Sequence, residues 1–320
     1  MTAVGPAAAT AARVLDEVER AVVGKRDTLE LILAGVLAGG HVLIEDLPGV
    51  GKTLMARSFA AVLGLGFRRL QFTPDLIPAD ITGSYLYDQQ KGAFSFVEGP
   101  VFTHFLLADE LNRTPPKTQA ALLEAMEEAQ VSVEGTTHPL PRPFVVLATD
   151  NPIEYEGTYP LPEAQLDRFL LRTRLGYLEP ELERAMLDRR LRTGAEPVVL
   201  QAVTDPDGVL GMRAAVEEVE VTADLRDYVV RLVTALRADP QLAVGASARA
   251  TLALTQVARA RALLAGRDFL VPDDVKGVAV PVLAHRLVPR MELWVRQAST
   301  EDRVRKALAE IPTPPTRGEP

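Results

Sequence analysis

The stretch Glu45-Asp46-Leu47-Pro48-Gly49-Val50-Gly51-Lys52-Thr53 decides the fold. It follows the apolar run His41 to Ile44, which reads as a strand, and precedes a helix expected to begin near Leu54. Glycines at Gly49 and Gly51 let the backbone turn tightly, so that successive N–H groups and the positive end of the following helix converge on phosphate oxygens. In such a turn, Pro48 to Leu54 forms the binding segment, Lys52 reaches the outer phosphates of a polyphosphate, and Thr53 ligates Mg2+. The usual pattern places a glycine where Asp46 stands. An acid there lowers phosphate affinity unless it is turned away or screened by magnesium.

Working outward, Ala8 to Val23 carries apolar residues at helical spacing (Val14, Leu15, Val18, Val22), and a second helix, Asp27 to Ala38, leads through Gly39-Gly40 to the strand before the cradle. In P-loop enzymes a segment such as Val22-Val23-Gly24 often lies against the base. Capping of the first helix is the other reading of Gly24, and both stay open.

Downstream, Phe67 to Phe72 reads as a strand. Tyr85-Leu86-Tyr87 and Phe94-Ser95-Phe96 then flank turn residues, as in a hairpin. Its aromatics either grip a partner or cover a core edge. The run Phe105 to Glu110 is apolar until it ends in two carboxylates, which is how a buried parallel strand delivers charge to the carboxyl edge of a sheet. Below a phosphate cradle, Asp109 is suited to hold Mg2+ through its water shell, and Glu110 to polarise the attacking water as general base.

Thr114-Pro115-Pro116 reads as an N-cap with prolines in the first turn of a helix to about Gln130. Val131 to Gly135 reads as a short strand and turn. Pro143 to Thr149 is another buried strand, ending in Asp150-Asn151-Pro152, where Asn151 is placed to touch the γ-phosphate or its water, or is a turn residue only.

After Leu175-Gly176 the alternation of strands and helices gives way to helices: Leu182 to Leu191, Asp224 to Leu236, Arg249 to Leu264 and Pro272 to Leu283. Ser247 is a natural N-cap that puts Arg249 in a first turn, where a cation opposes the helix dipole; a phosphate at the domain cleft would explain it.

The composition narrows the function classes. The chain has 320 residues, 47% of them hydrophobic, enough for two cores. A formal net charge of −8 and a single tryptophan, Trp294, argue against an electrostatic grip on nucleic acid or anionic membrane. With no cysteine and only four histidines, thiolate metal sites are excluded. The start lacks the basic and apolar blocks of a signal peptide and no 18-residue apolar run occurs, so a cytoplasmic protein is expected.

The cradle, the run Ala108-Asp109-Glu110-Leu111-Asn112-Arg113-Thr114-Pro115-Pro116-Lys117-Thr118-Gln119 and the segment from Asn151 to Leu166-Asp167-Arg168-Phe169 together resemble an AAA+ ATPase of the MoxR family. The resemblance covers nearly the whole chain. It implies an α/β fold, a P-loop three-layer α/β/α core with a parallel sheet over residues 1–176. A smaller all-helical lid would follow over 177–310; the closing stretch 311–320, with four prolines and Gly318, reads by its own composition as a disordered tail. The resemblance also implies ATP and Mg2+ as ligands and a homo-oligomeric ring, usually a hexamer. The expected partner is a separately encoded protein, often one carrying a von Willebrand factor A domain, which the ring remodels or matures, with metal-cofactor insertion among the tasks. Arg168 matches the finger that completes a neighbour's site, and Arg249 matches the sensor arginine that reports γ-phosphate to the lid. In many relatives glutamine stands where this chain has Asp150. A magnesium-chelatase-like motor is the alternative, with a nucleic-acid-acting ATPase or a non-hydrolysing switch further off.

Overall fold

The computed structural model describes residues 3–90, 92–152, 158–194, 198–291 and 299–315. In chain order, the first half comprises α1 (Val4–Glu19), α2 (Arg26–Leu37), β1 (Val42–Glu45), α3 (Lys52–Val62), β2 (Phe67–Gln71), α4 (Pro78–Thr82), β3 (Gly83–Asp88), β4 (Ala93–Glu98), β5 (Phe105–Asp109), α5 (Pro116–Glu128), β6 (Gln130–Val133), β7 (Thr136–Pro139), β8 (Val145–Asp150), α6 (Glu163–Leu166) and β9 (Leu171–Thr173). The second half comprises α7 (Pro180–Thr193), α8 (Pro206–Glu217), α9 (Ala223–Arg237), β10 (Leu242–Val244), α10 (Ala248–Leu264), α11 (Pro272–Leu283), β11 (Val288–Pro289) and α12 (Thr300–Glu310).

The central sheet has five parallel strands in the order β2-β5-β8-β1-β9. β5 is buried along its whole length and β8 along all but its last residue, as expected of central parallel strands covered on both faces. Successive residues serve opposite faces. Val42, Ile44, Phe105 and Leu107 join one apolar cluster, while Leu43, Leu106 and Ala108 join the other. Truncating one of these, such as Leu107, would cost about 2–5 kcal/mol through lost burial and the cavity left behind. Edge strand β2 instead exposes Arg68 and Arg69.

The larger cluster runs without a break from α1, α2 and α3 into the second-half helices, including Tyr228 and Leu232 of α9 and Val275 of α11. The first helix therefore packs against both halves of the chain. It ends at Glu19, four residues before the expected Val23, and Gly24 is not its cap. Helix α3 begins at Lys52, two residues before Leu54. Thr114 is not the N-cap of α5 either. That position falls to Pro115, and the Thr114 hydroxyl donates to the Leu111 carbonyl (3.1 Å).

The expected hairpin is β3–β4, and only part of its aromatic set covers a core edge. Phe96 stacks on His138 of the second hairpin, β6–β7, with ring centroids 3.9 Å apart, whereas Tyr87 and Phe94 pair with each other and stay exposed. Ile311, at the start of the expected tail, packs against the larger cluster, while residues 316–320, Trp294 and Ile153 to Gly157 lie outside the described residues. No helix among the described residues is long and apolar enough to cross a membrane.

Candidate nucleotide site

All five strands point the same way, so their carboxyl ends share one edge, and β1 lies where the strand order reverses direction. Ligands of open α/β sheets bind outside such an edge. Leaving β1, the chain passes through Gly49 (φ +86°) and Gly51 (φ +94°). A Cβ at either would meet no atom within 4 Å, so backbone angle, not crowding, demands glycine, and the space above the turn stays open. The first intrahelical bond of α3 runs from Met55 N to Gly51 O (3.0 Å). Helix geometry thus offers no acceptor to the N–H groups of Lys52, Thr53 and Leu54, which face the mouth of the turn with the positive end of the dipole behind them.

Lys52 is buried at the floor of this turn, where Nζ donates to the Asp46 carbonyl (2.7 Å). Burial lowers its pKa, opposed by the carboxylates of Asp109, Asp46, Glu110 and Asp150. Asp46, which breaks the glycine pattern, is turned away from the mouth. Its Oδ1 accepts from Leu47 N (2.8 Å), and Oδ2 accepts from Leu175 N (2.7 Å) and Gly176 N (2.6 Å), just beyond β9. The charge is absorbed by three backbone N–H groups, and the turn is tied to the start of the second half of the chain.

Asp109 ends β5 beside the cradle. Thr149 Oγ1 donates to its Oδ1 (2.6 Å), and Arg69 Nε and Nη2 donate to its Oδ2 (3.0 and 2.7 Å). The next residue, Glu110, sits in the left-handed region at φ 59°, an uncommon conformation for a residue with a Cβ. That reversal sends the two carboxylates apart. Glu110 N donates to Thr149 Oγ1 (2.8 Å), while Glu110 Oε2 accepts from Gln71 Nε2 (2.6 Å) and pairs with Arg113 Nε (2.9 Å).

Thr149, Arg69, Gln71 and Arg113 were not singled out from the sequence. The signal for Thr149 lies in the register: Leu107 pairs with Leu147 and Ala108 with Ala148, so the residues one step on are Asp109 and Thr149.

Asn151 is buried just past β8 at the same edge, its carbonyl accepting from Asn112 Nδ2 (3.3 Å). Asp150 beside it has its pKa raised by burial and by Glu45, with Lys52 opposing. Its Oδ1 is buried without a hydrogen-bond partner.

Next to the cradle is a cleft of about 410 Å3 lined by Val23, Leu54, Arg57, Met186, Arg190 and Leu200. It is apolar at Val23 and Leu54 and has the size of a small aromatic group plus surrounding solvent. Gly24 adopts φ +72° and packs on Leu182, where a Cβ would come within 2.4 Å of that side chain. Val23 lines the cleft, and Gly24 holds the turn beside it.

The two remaining candidates are elsewhere. Arg168 precedes β9 and Arg249 opens α10, and both reach Glu127: Arg168 Nε lies 3.2 Å from Oε2 and Arg249 Nη2 2.8 Å from Oε1. Arg249 Nη1 is also 3.7 Å from Asp167 Oδ2. The pairing with Arg249 is the main cause of a lowered Glu127 pKa. These residues share a cleft of about 770 Å3 with Gly40, His41 and Leu170, which stand at the amino ends of β1 and β9. This is the opposite edge of the sheet, a strand length of roughly 13 Å from the cradle. Ser247 caps α10 as expected, its Oγ accepting from Ala250 N, but Arg249 is not brought to the cradle of its own chain.

Comparison with known proteins agrees with this layout. The chain is 43% identical over 306 residues to the uncharacterised protein YeaC of Bacillus subtilis, covering 95% of each. It is 44% identical to chaperone MoxR1 of Mycobacterium tuberculosis, covering 97% of this chain and 84% of that one. The chain belongs to the MoxR family of AAA+ ATPases. The model of the ATPase family associated with various cellular activities (AAA) matches residues 41–171, and that of the AAA lid domain matches 234–307. A crystal structure from Cytophaga hutchinsonii, of a protein assigned as an ATPase, superposes with a TM-score of 0.90 at 40% identity, covering 98% of this chain and 97% of that one. The MoxR fold of an α/β AAA+ core and a helical lid is therefore the fold of this chain.

Proposed function

We propose that the chain hydrolyses ATP, with Mg2+, at sites shared between the subunits of a homo-oligomeric ring, and that the cycle remodels a separately encoded protein partner. The observation that carries this reading is the division of one catalytic set between two edges of a sheet. The cradle, Asp109, Glu110 and Asn151 stand at one edge, and Arg168 and Arg249 at the other. Residues a strand length apart in one chain meet only if the arginine edge of one subunit faces the cradle edge of the next.

The cradle fits a magnesium nucleotide by its own chemistry. Three N–H groups without helical acceptors, a lysine and a helix N-terminus suit phosphate oxygens, the cleft at Val23 and Leu54 suits a base, and a hydroxyl with one carboxylate suits a cation that keeps most of its waters. The orphaned Oδ1 of Asp150 is a further acceptor for that water shell.

When bound, Mg2+ supplies charge neutralisation between the phosphates, held by Thr53 and Asp109. Lys52 leaves the Asp46 carbonyl for the outer phosphates. Gln71 and Arg113 both engage Glu110 Oε2, and Oε1 is the oxygen we assign to the water. As the water oxygen bonds to the γ-phosphorus and the bridging bond to ADP breaks, Glu110 takes the water proton and Asn151 holds the water in line. Arg168 of the adjacent subunit offsets charge on the transferring group, with Arg249 beside it. This placement of Arg249, acting on a neighbour, replaces the within-chain sensor role that the resemblance implied. The partner class, a protein with a von Willebrand factor A domain, rests on that resemblance alone.

The test is complementation. Arg168→Ala and Lys52→Ala chains should each be inactive in phosphate release, and coassembled rings should regain activity, because an intact cradle then faces an intact Arg168. Absence of rescue in rings shown to contain both chains would sink the shared site.

A further inference from the structure

We propose that Arg286, in the lid, is a positioning residue for Arg168, so that the lid of one subunit sets the chemistry in its neighbour's cradle; this rests on the shared-site reading above. Arg286 ends the 3-10 turn Ala284–Arg286 that follows α11, more than a hundred residues from Arg168 in sequence, and its side chain is only 3% exposed. A buried guanidinium is tolerated only when its donors are met. Here they are met by the segment around Arg168. Nε donates to Asp167 Oδ1 (2.7 Å), Nη1 to the Leu170 carbonyl (3.0 Å), and Nη2 to the carbonyls of Phe169 (2.8 Å) and Asp167 (3.4 Å). Within its own helix, Nη1 contacts the Val282 carbonyl. The fork thus holds residues on both sides of Arg168, and the side chain of Arg168 projects from the held segment toward Glu127.

Fastening the lid to the core does not call for this arrangement. Apolar packing already does that, since Val282, Leu283 and Ala284 lie in the same cluster as Leu171. What polar contacts at Asp167, Phe169 and Leu170, on both sides of Arg168, add is direction. They fix backbone position and orientation around one side chain, which a hydrophobic contact leaves loose. Asp167 extends the link, with Oδ1 on Arg286 and Oδ2 facing Arg249 Nη1, so both arginines of this edge are referred to the same lid residue. His285 adds a contact from the same turn, its Nε2 lying 3.1 Å from the Phe169 carbonyl. A lid movement that displaced Arg286 would therefore act on the finger presented to the next subunit, since the donors of Arg286 engage residues 167–170 and no cradle residue.

The experiment compares Arg286→Ala, Arg286→Gln and Arg286→Lys full-length rings in phosphate release and in binding of a fluorescent ATP analogue. Arg286→Ala should lower kcat about a hundredfold, the effect of misplacing a catalytic group by an ångström or so, with the analogue's Kd within about twofold. Arg286→Lys, which keeps charge but not the fork, should lose about tenfold. Coassembly with Lys52→Ala chains, whose Arg168 segment is intact, should restore turnover to Arg286→Ala cradles. Unchanged kcat, or loss of nucleotide affinity in step with kcat, overturns the proposal. So does failed rescue where Arg168→Ala is rescued. If neither variant is rescued, the shared site falls and this inference falls with it. Should Arg286→Ala not fold by its melting transition, the Gln and Lys variants carry the same comparison.

Discussion

The two edges of the central sheet are built from opposite materials. At the carboxyl edge, Asp46, Asp109, Glu110 and Asp150 surround the buried Lys52, Asp46 being met by backbone N–H groups and Asp109 and Glu110 by Arg69 and Arg113. At the amino edge, Arg168, Arg249 and Arg286 converge on the two carboxylates Glu127 and Asp167. At the first edge most of the acids are engaged, Asp109 by Thr149 and Arg69, Glu110 by Gln71 and Arg113, and Asp46 by the main chain. At the second, only Arg286 is buried, and Arg249 is 54% exposed. One edge presents a glycine turn, a buried lysine and carboxylates, and the other presents arginines. On the function proposed above, the difference teaches that each chain carries two halves of a site and not a whole one.

The sharpest way to break this contrast is at the carboxyl edge. Glu110→Gln removes the proton acceptor while keeping the shape, so phosphate release should fall roughly a thousandfold with ATP still bound. Rapid turnover in that variant, measured by a coupled phosphate assay, would take Glu110 out of the base role. Next comes the amino edge, where Arg168→Ala should lower kcat by about a thousandfold without changing the affinity of the cradle for nucleotide. Equilibrium binding and turnover on the same preparation separate the two edges; parallel loss of both would mean that they are not distinct.

A third expectation concerns stability. His41, at the amino edge, is buried, with Nδ1 accepting from Val146 N (3.0 Å) and Nε2 facing the Met126 carbonyl (3.0 Å). Burial, with Arg213 adding to it, lowers its pKa from 6.5 to about 4, and His285 is lowered in the same direction by burial and Arg286. The unfolded chain thus takes up protons first as pH falls. The His41 contribution is whole above pH 6.5 and is lost progressively toward about pH 4, reaching about 3 kcal/mol. Urea midpoints at pH 7 and pH 5 should differ less in His41→Gln than in the parent; equal differences would refute the buried neutral imidazole.

The smallest effect belongs to Asp46. Asp46→Ala strands the N–H groups of Leu175 and Gly176 and should cost about 1–3 kcal/mol of stability, read from thermal unfolding. If the same variant bound ATP more tightly with no loss of stability, Asp46 would be a charge penalty and not a tie.

Much of the carboxyl edge was legible because its signals are local. Glycines at fixed offsets, Lys52-Thr53, and two apolar runs ending in Asp109-Glu110 and Asp150-Asn151 carry their meaning within a few residues. The amino edge was not legible in the same way. Ser247 announced the first turn of α10, but which edge Arg249 faces depends on how the lid docks, and no spacing within the chain encodes that. Asp46 looked like a liability because its acceptors' partners, Leu175 and Gly176, lie 129 and 130 residues away. Helices α8 and α12 are not announced by the sequence pattern although both have caps, Asp205 accepting from Gly208 N and Ser299 from Asp302 N. In α12 the charges Glu301, Asp302, Arg303, Arg305 and Lys306 dilute the apolar period that would have announced it.

The short strand β9 is anchored at both ends. Arg286 engages Asp167, Phe169 and Leu170 just before it, and Asp46 holds Leu175 and Gly176 just after it, so this one segment is tied to the lid on one side and to the phosphate turn on the other. A substitution at either anchor would therefore be felt along the whole segment, by the lid at one end and by the phosphate turn at the other.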